Sequence, residues 1–101
     1  MNHNQALDTI DETKGAIKYI LVLSEPETEQ MERLQLIEKM KENKISRDKF
    51  YKITDALSHL NIITEETTQP DGRIKRVYTT LTPKGNKIAE HLNQIKTILE
   101  E

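Results

Sequence analysis

The chain has 101 residues, of which 35% are hydrophobic and 32% are charged, and its formal net charge is −2. This length predicts one domain with a thin core, so extra burial through dimerisation is expected. The absence of cysteine excludes disulfides, thiolate metal sites and a cysteine nucleophile. Neither a signal-peptide pattern nor an apolar run near the ~20 residues of a membrane span occurs, so a cytoplasmic protein with no membrane partner is expected.

The charges are unevenly distributed along the chain. Residues 44–87 hold nine basic and five acidic side chains, a net charge of +4, whereas residues 1–43 carry −4 and residues 88–101 carry −2. A basic segment between acidic flanks can present one positive face to a polyanion. Chance clustering of solvated charges is the alternative explanation.

A first helix is predicted over residues 8–24. Thr9-Ile-Asp-Glu12 is typical of a helix start, and apolar residues recur at helical spacing after it. Gly15 is a weak point in this helix, so a start near Thr13 is the alternative. Pro26 predicts that the helix ends before it, because proline disfavours helical geometry at the preceding residue.

Two further helices are predicted over residues 28–42 and 46–60, joined by a tight turn. Thr28 is the expected N-cap of the first of them, and Ser46 is that of the second. Their expected inner stripes are Met31, Leu34, Ile37 and Met40 or Lys41 in the first helix, and Phe50, Ile53, Leu57 and Leu60 in the second. Asn61 follows directly, and asparagine tolerates the left-handed backbone conformation that ends a helix. Two helices in this arrangement match the helix-turn-helix layout, in which the second helix enters the major groove of DNA.

The outward side of the helix over residues 46–60 carries donors, acceptors and an aromatic ring, which base edges and phosphates require. The candidate DNA-binding residues on it are Ser46, Arg47, Lys49, Tyr51, Lys52 and Asp55. For Asp48, helix capping is favoured over accepting a hydrogen bond from a cytosine amino group, because it lies in the first turn. An ordinary amphipathic surface helix is the alternative for the whole segment.

A β-hairpin is predicted after this helix, with strands over residues 62–67 and 74–81 and a turn over residues 69–72. Its tip and second strand contain Arg73, Lys75 and Arg76, which are candidate contacts to the DNA backbone or the minor groove. The alternative is that these charges protect an exposed strand edge from aggregation.

A last helix is predicted to start with Thr82 as N-cap and Pro83 at its first position. Apolar side chains then recur at spacings of four, three and four, as in a short coiled-coil seam. The candidate dimer-interface residues are Ile88, Leu92, Ile95, Ile98 and Leu99. Packing of this helix on the first helix of the same chain is the alternative. A two-fold dimer implies a roughly palindromic DNA site.

Two stretches of the chain resemble a known family. Ser46-Arg-Asp-Lys-Phe-Tyr-Lys-Ile and the segment 57–66 are similar to the recognition helix and first wing strand of prokaryotic winged-helix regulators. Gly72-Arg-Ile-Lys-Arg-Val-Tyr78 and Leu81-Thr-Pro-Lys-Gly85 are similar to their wing and to their Leu-Thr-x-x-Gly entry into the next helix. The resemblance covers residues 14–95, and bacterial and archaeal regulators of the MarR and PadR type are the nearest match.

Two features depart from that family. Asn61 stands where the family usually has glycine, and the chain is shorter than a typical MarR protein, so the larger dimer domain and ligand pocket of that family are not implied. A compact archaeal or viral regulator fits better. The resemblance implies that Arg47, Tyr51 and Lys52 face the major groove. It also implies that residues 67–77 form the wing, with Arg73, Lys75 and Arg76 as its basic residues.

The predicted fold is therefore α+β, mainly α: a winged helix-turn-helix of three helices and a two-stranded wing, with a C-terminal dimerisation helix. Residues 1–81 form the DNA-binding domain, with residues 1–7 as a flexible arm, and residues 82–101 form the dimerisation helix. The expected function is sequence-specific binding of double-stranded DNA as a homodimeric transcription regulator. A winged-helix module for protein–protein contacts is the alternative, because fold does not dictate function.

Catalysis, a cofactor and a metal site are not expected. His3, His59 and His91 are scattered without metal-ligand spacing, and neither a glycine-rich phosphate loop nor a nucleophile elbow occurs. Nothing in the sequence indicates a small-molecule effector.

Overall fold

The computed structural model describes residues 13–69 and 75–101. Their elements, in chain order, are α1 (Ala16–Leu23), a 3-10 helix (Pro26–Gln30), α2 (Arg33–Glu42), α3 (Arg47–His59), β1 (Ile63–Thr68), β2 (Arg76–Leu81) and α4 (Pro83–Leu99). The two strands pair antiparallel, from Ile63 opposite Leu81 to Thr68 opposite Arg76. This arrangement confirms the predicted winged helix-turn-helix. Among the described residues, no helix combines the length and apolar character that crossing a membrane requires.

One hydrophobic core joins the helices to the base of the sheet. Its largest fully buried side chains are Tyr19, Ile20, Leu36, Met40, Ile45, Phe50, Ile53, Leu57 and Ile62. The predicted inner stripe of α3 is confirmed, since all four of its members are buried. Burying each such side chain contributes roughly 1.5–3 kcal/mol, so α3 is held mainly by this face.

The prediction of a continuous first helix over residues 8–24 is wrong at Gly15. This glycine has a φ of 94°, in the left-handed region, and α1 begins immediately after it at Ala16. The alternative start near Thr13 was therefore closer. Residues 1–12, including the predicted arm, lie outside the described residues.

The predicted start of the second helix is also wrong. Thr28 does not cap α2; it lies in the 3-10 helix, is buried, and donates its hydroxyl hydrogen bond to the Glu25 carbonyl (2.8 Å). The N-cap of α2 is Glu32, whose backbone N–H donates to the Gln35 side chain (3.1 Å). The displaced start leaves Leu34 68% exposed, so that member of the predicted stripe is wrong as well.

The turn and the caps around α3 agree with the prediction. Ser46 is the N-cap, and its hydroxyl accepts a hydrogen bond from the Lys49 backbone N–H (3.3 Å). Two residues with side chains adopt positive φ at the two ends of this unit, Lys44 at 65° and Asn61 at 60°. The left-handed Asn61 ends the helix as expected and directs the chain into β1.

The strands differ from the prediction only at their ends. They cover Ile63–Thr68 and Arg76–Leu81, whereas strands over residues 62–67 and 74–81 were expected. Residues 70–74, with most of the predicted turn and Arg73, lie outside the described residues.

The start of α4 is anchored to the end of α3. Thr82 is the predicted N-cap, and its hydroxyl accepts from the Gly85 backbone N–H (3.0 Å) and donates to the Asn61 carbonyl (2.7 Å). The Thr82 backbone N–H donates to the Ile62 carbonyl (3.0 Å). Pro83 occupies the first turn, as predicted. These bonds fix the angle at which α4 leaves the winged-helix core.

Candidate nucleic-acid interface

The orientation of α3 is set by a buried hydrogen-bond chain to α1. The Thr54 hydroxyl donates to the Phe50 carbonyl (2.7 Å), and the Tyr19 hydroxyl lies 2.7 Å from the Thr54 oxygen, to which it donates. Burial raises the pKa of the Tyr19 hydroxyl well above its ordinary value, so this donor stays protonated at physiological pH. These hydrogen bonds link α1 to the inner face of α3, and they therefore determine which residues of α3 point outward.

The outer face of α3 presents the predicted candidates to solvent. Five of the six candidate residues on α3 and at its N-cap are exposed, and Lys49 is half-buried: Ser46, Arg47, Tyr51, Lys52 and Asp55 form the exposed set. Asp48 is also exposed and lies in the first turn of the helix. The sequence-based division of α3 into an inner and an outer face is thus reproduced apart from the half-buried Lys49.

Tyr51 lies between two guanidinium groups. The Cζ atoms of Arg33 and Arg47 are 5.8 Å and 5.9 Å from the centre of its ring. Both distances are within the range of cation–π attraction. The ring also meets Phe50 edge-on, with centroids 5.5 Å apart. These contacts restrict the rotamers of Tyr51 while 40% of the residue stays exposed.

Arg33 is a candidate residue that the sequence reasoning missed. It is the first residue of α2, and its side chain pairs with Glu65 of β1 at 2.5 Å. It thus joins α3, α2 and the wing in one polar cluster. The sequence signal was present in Glu32 and Gln35, which mark the true start of α2, and that start places Arg33 at the helix end that lies beside α3.

The base of the wing is attached to the start of α2. Glu32 forms an isolated antiparallel bridge with Tyr78, and its carboxylate lies 4.0 Å from the Arg76 Nε. Lys75 and Arg76 are both exposed, as a role in binding a polyanion requires. The third predicted wing residue, Arg73, lies outside the described residues.

The predicted dimer residues fall into two groups. Ile88 and Leu92 are half-buried against the core of their own chain, as the packing alternative expects for that half of the helix. Ile95, Ile98 and Leu99 are 52%, 63% and 79% exposed. The end of α4 therefore extends past the core with its apolar side chains uncovered.

The described residues offer no obvious place for a metal. Within residues 13–69 and 75–101, no three His, Asp or Glu side chains come together in a group that could hold an ion.

Comparison with known proteins adds one finding. No protein-family model and no curated protein matches the chain. Among solved structures, the chain is similar to a PadR-like transcription factor from Bacteroides fragilis, with a TM-score of 0.66 and 19% identity, covering 93% of this chain and 91% of that one. At this level of identity the similarity shows the fold. The chain therefore has the fold of a PadR-like winged-helix protein, as the resemblance in its sequence predicted.

Proposed function

We propose that this protein is a transcription regulator that binds double-stranded DNA sequence-specifically, with α3 in the major groove. The observation that carries the proposal is the division of α3 into two faces. One face is buried and tied to α1 through Tyr19, while the other presents Arg47, Tyr51 and Lys52 to solvent. A recognition helix has to be held rigidly from behind and to offer polar side chains in front.

The exposed side chains of α3 match the chemistry of base edges. An arginine such as Arg47 can donate two hydrogen bonds to O6 and N7 of guanine, and a carboxylate such as Asp55 can accept from the cytosine amino group. Ser46 and Lys49 lie at the start of the helix, where contacts to phosphate set the register without reading sequence. Tyr51, restrained by its two arginine neighbours, supplies a flat surface at the centre of this face.

The wing supports binding on the flank of the same site. Lys75 and Arg76 are exposed at the described end of the hairpin, and Arg73 precedes them in the sequence. Basic residues on a wing neutralise backbone phosphates or enter the minor groove, where the negative potential favours them.

We further propose that the protein acts as a homodimer through the end of α4. Ile95, Ile98 and Leu99 form an exposed apolar stripe there, and Ile17 on α1 is also half exposed. Burial of such a stripe against a second copy removes it from water, and a two-fold arrangement presents two recognition helices about one turn of DNA apart. As a DNA-binding regulator the protein would act in the cytoplasm.

The experiment that tests the DNA-binding proposal begins with selection of a preferred duplex from random sequences by the purified protein. The double variant Arg47→Ala/Lys52→Ala is then compared with Lys41→Ala/Lys87→Ala, which removes the same charge from exposed positions on α2 and α4. Each base contact contributes about 1–3 kcal/mol, so the first variant is expected to lose roughly 100-fold or more in affinity for the selected duplex. The second variant is expected to bind within a few-fold of the wild type.

If both variants bind like the wild type, α3 is not the recognition helix. If the protein binds no duplex even at low salt, the proposal is wrong and a module for protein–protein contacts is the next hypothesis to test.

A further inference from the structure

A basic groove lies beside the outer face of α3. A groove of about 300 Å³ is lined by Thr13, Lys14, Lys49, Lys52 and Ile53. Lys49 and Lys52 belong to α3, whereas Lys14 comes from the turn that precedes α1. Lys14 lies outside the helix-turn-helix and forms no part of the site derived from the sequence.

Gly15 is what brings Lys14 to this place. The turn before α1 is closed by the Ala16 backbone N–H, which donates to the Thr13 carbonyl (3.1 Å). Gly15 adopts its positive φ there and approaches α3 so closely that an added Cβ would lie 3.3 Å from the Cδ1 of Ile53. The glycine thus packs the turn directly against the recognition helix, and the preceding lysine reaches the groove.

The groove concentrates positive charge that the described residues do not neutralise. None of its three lysines forms an ion pair within the described part of the chain, although Lys39 and Lys41 on α2 both pair with glutamates. Like charges held together are unfavourable unless an anion joins them. The groove also lies at the start of α1, where the positive end of the helix dipole favours negative charge.

We infer that this groove binds one backbone phosphate of the duplex, at the edge of the major groove that α3 enters. This inference rests on the proposed function and adds a residue and a task to it. Lys14 and Lys49 hold the phosphate, and Lys52 lines the groove on the side of the base-reading face. A contact of this kind fixes how α3 is positioned on the duplex and carries no sequence information.

The test compares Lys14→Gln with Lys18→Gln in the full chain. The two lysines are exposed and four residues apart, but Lys18 lines a different groove together with Asn93 and Lys96. Fluorescence anisotropy measures binding to the selected duplex and to a scrambled duplex at several salt concentrations. Circular dichroism melting establishes that both variants remain folded.

Lys14→Gln is expected to weaken binding by the same factor on both duplexes and to reduce the slope of log K against log salt by about 0.9, the value for one phosphate contact. Lys18→Gln is expected to leave both quantities unchanged. A full slope for Lys14→Gln, or equal losses for the two variants, would overturn the inference and leave the proposed function intact.

A third measurement separates a phosphate of DNA from a free anion. If inorganic phosphate binds the wild type and Lys14→Gln abolishes that binding while duplex affinity is unchanged, the groove serves a small anion and the inference is wrong. Failure of the wild type to bind any duplex overturns the inference and the proposed function together.

Discussion

Gly85 provides the sharpest test of how α4 is attached to the winged-helix core. It lies in the first turn of α4, within the segment Leu81–Gly85 that carries the most specific part of the family resemblance. A Cβ at this position would lie 2.1 Å from the Ile62 carbonyl oxygen and 3.2 Å from the Cδ2 of Leu81. This oxygen belongs to the backbone of the buried Ile62, so it cannot move aside as the end of a flexible side chain could.

The cost of Gly85→Ala follows from these distances. A carbon–oxygen contact normally falls near 3.3 Å or more, so α4 has to shift by roughly 1 Å. Such a shift strains the hydrogen bonds from Thr82 to Asn61 and Ile62, each of which contributes about 1 kcal/mol, and overpacking costs about 1–3 kcal/mol in addition. If about half of that hydrogen-bond energy is lost, the free energy of unfolding is expected to fall by roughly 2–4 kcal/mol.

The sign of the change in stability distinguishes this substitution from an ordinary one. An ordinary glycine-to-alanine substitution inside a helix stabilises by roughly 0.5–1 kcal/mol, which is the opposite sign. Urea denaturation followed by circular dichroism measures the difference. Asn86→Ala, at the next position and exposed, is the matched control and is expected to be neutral or slightly stabilising. A Gly85→Ala variant as stable as the wild type would refute the close approach of α4 to Ile62.

Three further predictions concern other parts of the structure. Tyr19→Phe leaves the Thr54 hydroxyl without its donor and is expected to lower the free energy of unfolding by about 1–2 kcal/mol in urea denaturation; an unchanged value would mean that the pair does not hold α3. Lys44→Gly removes the steric cost of the left-handed conformation at this position and is expected to stabilise the protein by about 0.5–1 kcal/mol. Destabilisation in the same assay would contradict the assigned turn. Ile98→Glu is expected to convert the proposed dimer to a monomer in sedimentation velocity, whereas Leu34→Glu, exposed to a similar extent (68% against 63%), is not; a persisting dimer would place the interface elsewhere.

The sequence was sufficient for α3 because the signals there are local. A serine N-cap, four apolar residues at helical spacing and an asparagine that tolerates positive φ lie within one short segment. Each acts through its immediate neighbours, so no tertiary contact is needed to interpret it. The same holds for the start of α4, where Thr82 and Pro83 mark the first turn.

The start of α2 was misplaced because two local N-cap patterns compete, at Thr28 and at Glu32, and contacts across the chain decide between them. Thr28 has the composition of an N-cap, yet its hydroxyl turns back to the Glu25 carbonyl and the residue is buried. The actual start at Glu32 is further fixed by the bridge from that residue to Tyr78 in β2. A local sequence pattern cannot show that a residue far along the chain will pair with one of two possible N-cap residues.

Arg33 and Lys14 were missed for the same reason. Arg33 becomes relevant only because α2 brings it beside Tyr51 and Glu65, and Lys14 only because Gly15 packs against Ile53. Each depends on two segments that are distant in sequence and meet through the core. The resemblance identified Gly85 as part of a motif, and the structure supplies the physical reason for it.

The central claim is that α3 enters the major groove of duplex DNA, and methylation interference on the selected duplex tests it most directly. Methylation of guanine N7 blocks contacts in the major groove, whereas methylation of adenine N3 blocks those in the minor groove. The account predicts that N7 methylation abolishes binding at two patches about 10 base pairs apart, one for each copy of α3. Binding that tolerates N7 methylation everywhere, and responds only to N3 methylation, would contradict it.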